Sequence, residues 1–238
     1  MLLAPAASAQ GGSVALEATV DGKPVGATTL VLDPAQTPRI SVTVRNNTNT
    51  VQRIRTVRLK GTALALTFFA YDTTVPFDVP AKGTITRGFQ LDLADLGSQA
   101  IGLLPTTVQV ISPDRDVVAE VETTGDVRGS LWSVYGVFGL AVLVLTILSW
   151  LGAIIALARR RLPANRWQRA MRFLPAGVGT GLVAVISLSV LRFIPPSPTA
   201  EVPFIVGAAG AALILGYLTP HPGDAPSDSD ATTTVRLP

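Results

Sequence analysis

The chain has 238 residues, with 19 Lys and Arg against 16 Asp and Glu, one His and no Cys. Charged residues make up 15% and hydrophobic residues 48%, a balance that excludes an intrinsically disordered chain and argues against an ordinary soluble enzyme. Without cysteine there is no disulfide scaffold, thiol nucleophile, Cys-ligated zinc or iron–sulfur centre, and the length allows one or two domains.

Residues 1–9 end in Ala7-Ser8-Ala9 and read as the remnant of a secretory signal, with Gln10 as the mature start, although the charged leading region is missing. Residues 10–128 read as short strands divided by turn residues. Segments 15–20 and 26–32 flank Asp21-Gly22, a strong hairpin signal. In 40–44, Ile40, Val42 and Val44 share one face. In 51–59, Ile54 and Val57 differ in parity, so a bulge is expected near Arg55 and Thr56. Segments 64–71, 75–79, 84–91, 107–111 and 116–123 complete the set, the last with Val117, Ala119 and Val121 inward and Glu120 and Glu122 outward. Residues 92–100 hold the one helical turn. Eight or nine strands in some 119 residues predict an all-β, immunoglobulin-like sandwich, large enough to bury a core without disulfides. The arrangement resembles in outline the Ig-like ectodomains of bacterial envelope proteins.

Three apolar runs follow, predicted as transmembrane helices. Residues 131–158 carry no charge over 28 positions, about 42 Å as a helix against a hydrocarbon core of roughly 30 Å. Residues 174–191 and 203–219 are 18 and 17 long, at the lower edge for spanning. None of the three runs contains an ionisable side chain of the kind that transport or proton relay requires. Trp132 and Trp150 fit interface belts near the ends of the first run. Between the first two runs, residues 159–172 hold Arg159, Arg160, Arg161, Arg166, Arg169 and Arg172 without an acid, the pattern of a cytoplasmic loop. That places 10–128 outside the cytoplasmic membrane and the tail 220–238 inside, as a disordered segment. Contact of these arginines with anionic lipid is an alternative, but topology alone explains them.

The chemical inventory is short. His221 lies in the tail, across the membrane from the β domain, so no His-based triad forms outside. Lys23, Lys60 and Lys82 lack the apolar surroundings that a Ser–Lys dyad needs. Asp92/Asp95 and Glu120/Glu122 read as a cap and a solvent face rather than as paired glycosidase acids, and Asp114/Asp116 as turn formers rather than Ca²⁺ ligands. No glycine-rich phosphate motif occurs. No catalytic residue, cofactor or metal is assigned.

Two features remain. Arg53, Arg55, Arg58 and Lys60 form a stripe that suits an anionic envelope polymer or lipid, or else a solvated edge strand; the stacking aromatics that nucleic acid needs are missing. Gly177/Gly181, Gly207/Ala211 and Ala212/Gly216 repeat at four-residue spacing and permit close helix approach. The expectation is a non-enzymatic, membrane-anchored envelope protein. It contacts the bilayer, takes no small-molecule substrate, and binds or scaffolds another membrane or exported protein. The alternatives are an ectodomain for an anionic envelope polymer or lipid, and a carboxylate-dependent envelope enzyme.

Overall fold

The computed structural model describes residues 13–159, 162–163 and 165–220. The signal-like residues 1–9, Arg160, Arg161 and the tail from His221 onward lie outside those described. The described residues form two β-sheets and three long apolar helices.

β1 (Val14–Val20) turns at Asp21-Gly22 into β2 (Lys23–Pro24). Both turn residues take positive φ, 49° and 78°, as a two-residue hairpin requires. β2 stops after two residues at Pro24, which has no N–H to give to a ladder. The expected partner 26–32 is corrected: β3 (Leu30–Leu32) joins the other sheet, parallel to its last strand. β4 (Arg39–Asn46), β5 (Gln52–Ala63), β6 (Leu66–Val79) and β7 (Thr84–Gln90) follow, then α1 (Leu96–Gln99), β8 (Gly102–Ile111) and β9 (Val117–Val127). The sheets run β2-β1-β4-β7 and β3-β9-β8-β5-β6.

The segments expected separately at 64–71 and 75–79 are one strand, because β5 pairs along the whole of β6. The expected bulge lies between Ile54 and Thr56. Alternation from both sheets supplies the core, in which Leu16, Leu32, Val42, Val44, Val79, Leu104, Val108 and Val110 are at most 1% exposed, each contributing about 1.5–3 kcal/mol by burial. Val117, expected inward, is 50% exposed; it pairs at the register shift between Val110 and Ile111, where the period is broken. Buried Asn46 ties the end of β4 to the next turns: its Nδ2 donates to the carbonyls of Thr50, Val79 and Pro80, and its Oδ1 accepts from Thr48 N–H.

α2 (Val134–Ala158), α3 (Arg166–Val190) and α4 (Pro198–Leu218) are each long and apolar enough to cross a membrane. α3 starts earlier than expected, so Arg166, Arg169 and Arg172 belong to its first two turns rather than to a loop. α4 opens at Pro198, a residue suited to the first helical turn, and so takes Glu201 into that turn. The chain divides into two compact units. The first gathers the β-strands with residues 134–141 and 183–203, and the second holds 142–182 and the described residues from 204.

Candidate functional site

The basic stripe lies on β5, and β5 is flanked by β6 and β8, so the edge-strand reading is corrected. The bulge sets the geometry of the stripe. In an unbroken strand Arg53 and Arg55 would face away from Arg58 and Lys60; the shift brings all four to the outer surface while Ile54, Val57 and Leu59 stay buried. Across the sheet, acids bracket the stripe. Arg58 stands between Asp72 of β6 and Gln109 of β8, and Gln109 faces Glu120 of β9. Lys60 stands opposite Thr107, which faces Glu122. Arg58 donates Nε and Nη2 to the two Asp72 oxygens at 2.6 and 2.7 Å, and Gln109 Nε2 donates to Glu120 at 2.8 Å. The hydrogen bonds with Asp72 raise the pKa of Arg58, and those same bonds hold the Asp72 carboxyl below its ordinary value. The two side chains are 37% and 47% exposed, so the pair is worth only about 0.2–1 kcal/mol.

Arg55 and Arg58 share a cleft of about 520 Å³ with Asp72, Thr74, Ser112 and Arg115. Arg115 occupies the β8–β9 turn at φ 71°. Neither Arg55 nor Arg115 has an ion-pair partner among the described residues. Sequence reasoning missed Arg115 because it lies 60 positions from Arg55 and only the β5–β8 pairing brings the two together.

A second constellation, also missed, joins the β domain to helix ends within the first unit. Ser189 Oγ donates to the Leu103 carbonyl at 2.7 Å, Arg192 Nε to Asp126 at 2.6 Å, and the Leu64 N–H to Glu201 Oε1 at 2.9 Å. Phe68, on the outer face of β6, packs against Tyr135 and Phe138 of α2 with ring centroids 4.7 and 5.8 Å apart. Gly102 has φ 88°, and a Cβ there would meet the Ser189–Val190 backbone, so only glycine fits. The link from β9 to α2 is pinned too, by Arg128 N–H to Leu32 O and Ser130 N–H to Gly97 O. No local pattern reveals these contacts, whose partners are separated by 66 to 137 positions.

In the second unit the small residues divide. A Cβ on Gly177 would come within 2.5 Å of Ala212 Cβ, and one on Gly216 within 2.8 Å of Ala170 Cα. A Cβ on Gly181 would lie 2.5 Å from Ile205 Cα. Gly177, Gly181, Ala212 and Gly216 thus line the α3–α4 seam. Gly207 has nothing within 4 Å of its Cβ position, and Ala211 beside it is exposed. Trp150, expected at an interface, donates its indole N–H to Thr180 at 3.0 Å and packs edge-on against Phe173.

The arginines divide as well. Arg159 and Arg172 are exposed, and Arg166 lies 6.0 Å from the Tyr217 ring. Arg169, expected as one of the topology determinants, is 1% exposed. One Nη of Arg169 reaches the Pro163 carbonyl at 3.4 Å, and its Nε is unsatisfied.

Among the described residues no three His, Asp or Glu side chains cluster as metal ligands. Asp92 accepts from Ala94 N–H as a turn former, whereas Asp95 begins α1 without a side-chain cap. Both acids act on Tyr71. Burial, then Asp95 and Asp92, push its pKa to about 12, and its hydroxyl is buried without a partner.

No protein-family model matches the sequence, and no curated protein matches it. Among solved structures, the alkylpurine DNA glycosylase AlkC of Pseudomonas fluorescens, bound to DNA with an abasic site analog, is 14% identical at a TM-score of 0.32. That match covers 49% of this chain and 31% of the glycosylase. A Niemann-Pick type C2 protein from the Japanese carpenter ant is 7% identical at a TM-score of 0.32, covering 47% of this chain and 89% of that one. A FixG-related protein from Vibrio parahaemolyticus is 13% identical at 0.30, covering 50% and 99%. Identities and scores this low assign neither family nor function.

Proposed function

We propose that the protein is a non-enzymatic accessory subunit of the bacterial cell envelope. Its Ig-like sandwich stands outside the cytoplasmic membrane, α2, α3 and α4 cross it, and the sandwich binds or scaffolds another membrane or exported protein. One observation carries this reading: the β domain is built into the ends of the helices rather than tethered to them. Ser189, Arg192, Glu201 and Tyr135 all engage it. These contacts fix the β domain to residues 134–141 and 183–203 as one preorganised unit, which suits a scaffold better than a mobile receptor head. The arginine bias at the other end of α2 and α3 supports the N-outside orientation.

Co-purification of the full chain in mild detergent tests the proposal. A stoichiometric protein partner is expected, and a lone monodisperse monomer refutes it. Orientation is tested by single cysteines at Ser112 and Ala164 in a chain that has none of its own. An impermeant maleimide should label the first in intact cells, and labelling of the second overturns the orientation.

A second reading is favoured by the cleft in which Arg55 and Arg115 stand without ion-pair partners among the described residues: the five-stranded sheet binds an anionic envelope polymer. Against it, Asp72, Glu120 and Glu122 flank the stripe and weaken its field. Binding of teichoic-type polyphosphate that weakens from 50 to 200 mM salt and fails in Arg55→Gln/Arg115→Gln supports this reading, and salt-insensitive binding sinks it.

A further inference from the structure

We propose that the second unit carries a site for one anionic phospholipid, in the open groove where Gly152, Ala153 and Ala156 of α2 and Pro175 of α3 lead to Arg159 and Arg172. The inference rests on α2 and α3 spanning the membrane. The groove encloses about 460 Å³, within the roughly 300–1,000 Å³ of small-ligand sites. That is room for part of one acyl chain beneath a head group.

Its walls are of two kinds. Along the helices they are apolar: Leu148 and Ile155 are 58% and 48% exposed, and a Cβ at Gly152 would meet nothing within 4 Å. A concave surface of small residues flanked by long aliphatic ones takes a hydrocarbon chain, whereas a free phosphate gains nothing from it. At one end stand two guanidiniums, the group whose planar fork binds phosphate oxygens in pairs. From Val134 to Val190 the sequence has six arginines and no Asp or Glu. Neither helix therefore brings an acid of its own to the groove. Head-group charge and chain therefore select together for an anionic glycerophospholipid in the leaflet that this end faces. A zwitterionic lipid brings an ammonium into the same field and is disfavoured.

The test uses the purified full chain in detergent and native mass spectrometry with equal amounts of dioleoylphosphatidylglycerol and dioleoylphosphatidylcholine. Two cations near a lipid surface contribute roughly 1 kcal/mol each, so the wild type should retain the phosphatidylglycerol about 30-fold more strongly than the phosphatidylcholine. Gly152→Phe starts from a Cβ position with nothing within 4 Å, puts a ring into the groove, and should abolish retention of both lipids while the melting temperature stays that of the wild type. Arg159→Gln/Arg172→Gln should keep weak retention and lose the preference. Equal retention of the two lipids by the wild type overturns the proposal. So does undiminished retention by Gly152→Phe. If Gly152→Phe fails to fold, the arginine pair decides: an unchanged preference overturns the site. Flotation of the wild type with phosphatidylcholine liposomes after an alkaline wash reads the spanning of the helices separately.

Discussion

Gly181 offers the sharpest test of how the second unit is packed. Its Cβ position lies 2.5 Å from Ile205 Cα, 2.8 Å from the Phe204 carbonyl and 3.1 Å from Ile205 N. All three are backbone atoms, so no side chain can swing away. Ordinary carbon contacts need about 3.5–4.0 Å, which obliges α3 and α4 to part by about 1 Å in Gly181→Ala. The separation also strips the contact between Gly177 and Ala212 one turn away. Overpacking of this kind costs about 1–3 kcal/mol. Alanine returns up to about 1 kcal/mol of helix propensity at any glycine, so the control must be a glycine with free space. Gly207, with nothing within 4 Å, is that control. At about 2–4 °C per kcal/mol for chains of this size, Gly181→Ala should melt several degrees below Gly207→Ala in the same detergent. The readout is tryptophan fluorescence in a Trp132→Phe/Trp167→Phe background, which leaves Trp150, whose indole bonds to Thr180 next to the mutated position. If the two variants melt together, the α3–α4 seam does not lie where these glycines place it.

Three further outcomes are expected. Asn46→Ala strips three carbonyls and the Thr48 N–H of their partner and should destabilise the β domain by about 1–3 kcal/mol in a chemical melt, whereas Asn47→Ala should change little. Tyr71 should release its phenolic proton near pH 12 in an absorbance titration of the folded protein. Its folded pKa lies above the unfolded value near 10, so the stability it contributes is complete below pH 10 and is lost as pH rises through 12. Amide replacement of Asp92 and Asp95 should move that titration down. Replacing Leu64-Ala65, which turn the β5–β6 hairpin with φ of 51° and 61°, by Asn-Gly should raise stability by about 1–2 kcal/mol. An unchanged or lower melt would show that the native pair is not strained.

How much the sequence discloses depends on the range of the interaction. The Asp21-Gly22 hairpin, the bulge near Arg55 and the three apolar helices were legible because each is fixed within a few residues by φ preference, parity or length. Segment 26–32 was misplaced, since the choice between two sheets is made by partners about 95 positions away, as Leu30 pairs with Gly125. The boundaries of α3 and α4 were drawn at the nearest charge, yet helix geometry tolerates charge where Arg169 is covered and Glu201 finds a backbone donor. Four cations could be read off β5, but not the pairing of Arg58 with Asp72 of β6 or the nearness of Glu120 and Glu122 on β9, which only the strand order brings about. The small-residue pairs were visible as a set. Which of them face α4 and which stay open depends on helix rotation, which spacing alone leaves free.

The clasp of Leu64 on Glu201 has a temporal side. The two residues are 137 positions apart, so at about 5–20 residues per second of synthesis the acceptor emerges roughly 7–27 s after the donor. During that interval the β domain can close its own core, because every strand precedes α2. Phe68 must wait for Tyr135, the Leu103 carbonyl for Ser189, and the hairpin tip for Glu201. Biogenesis is therefore staged: a nascent β domain first, with one unfinished end, then sealing of that end as the later helices arrive. A chain halted after Ala158 would expose that end, the Leu103 carbonyl, Asp126 and the Leu64 amide together, and mark the product as incomplete to any protease that reads unpaired backbone.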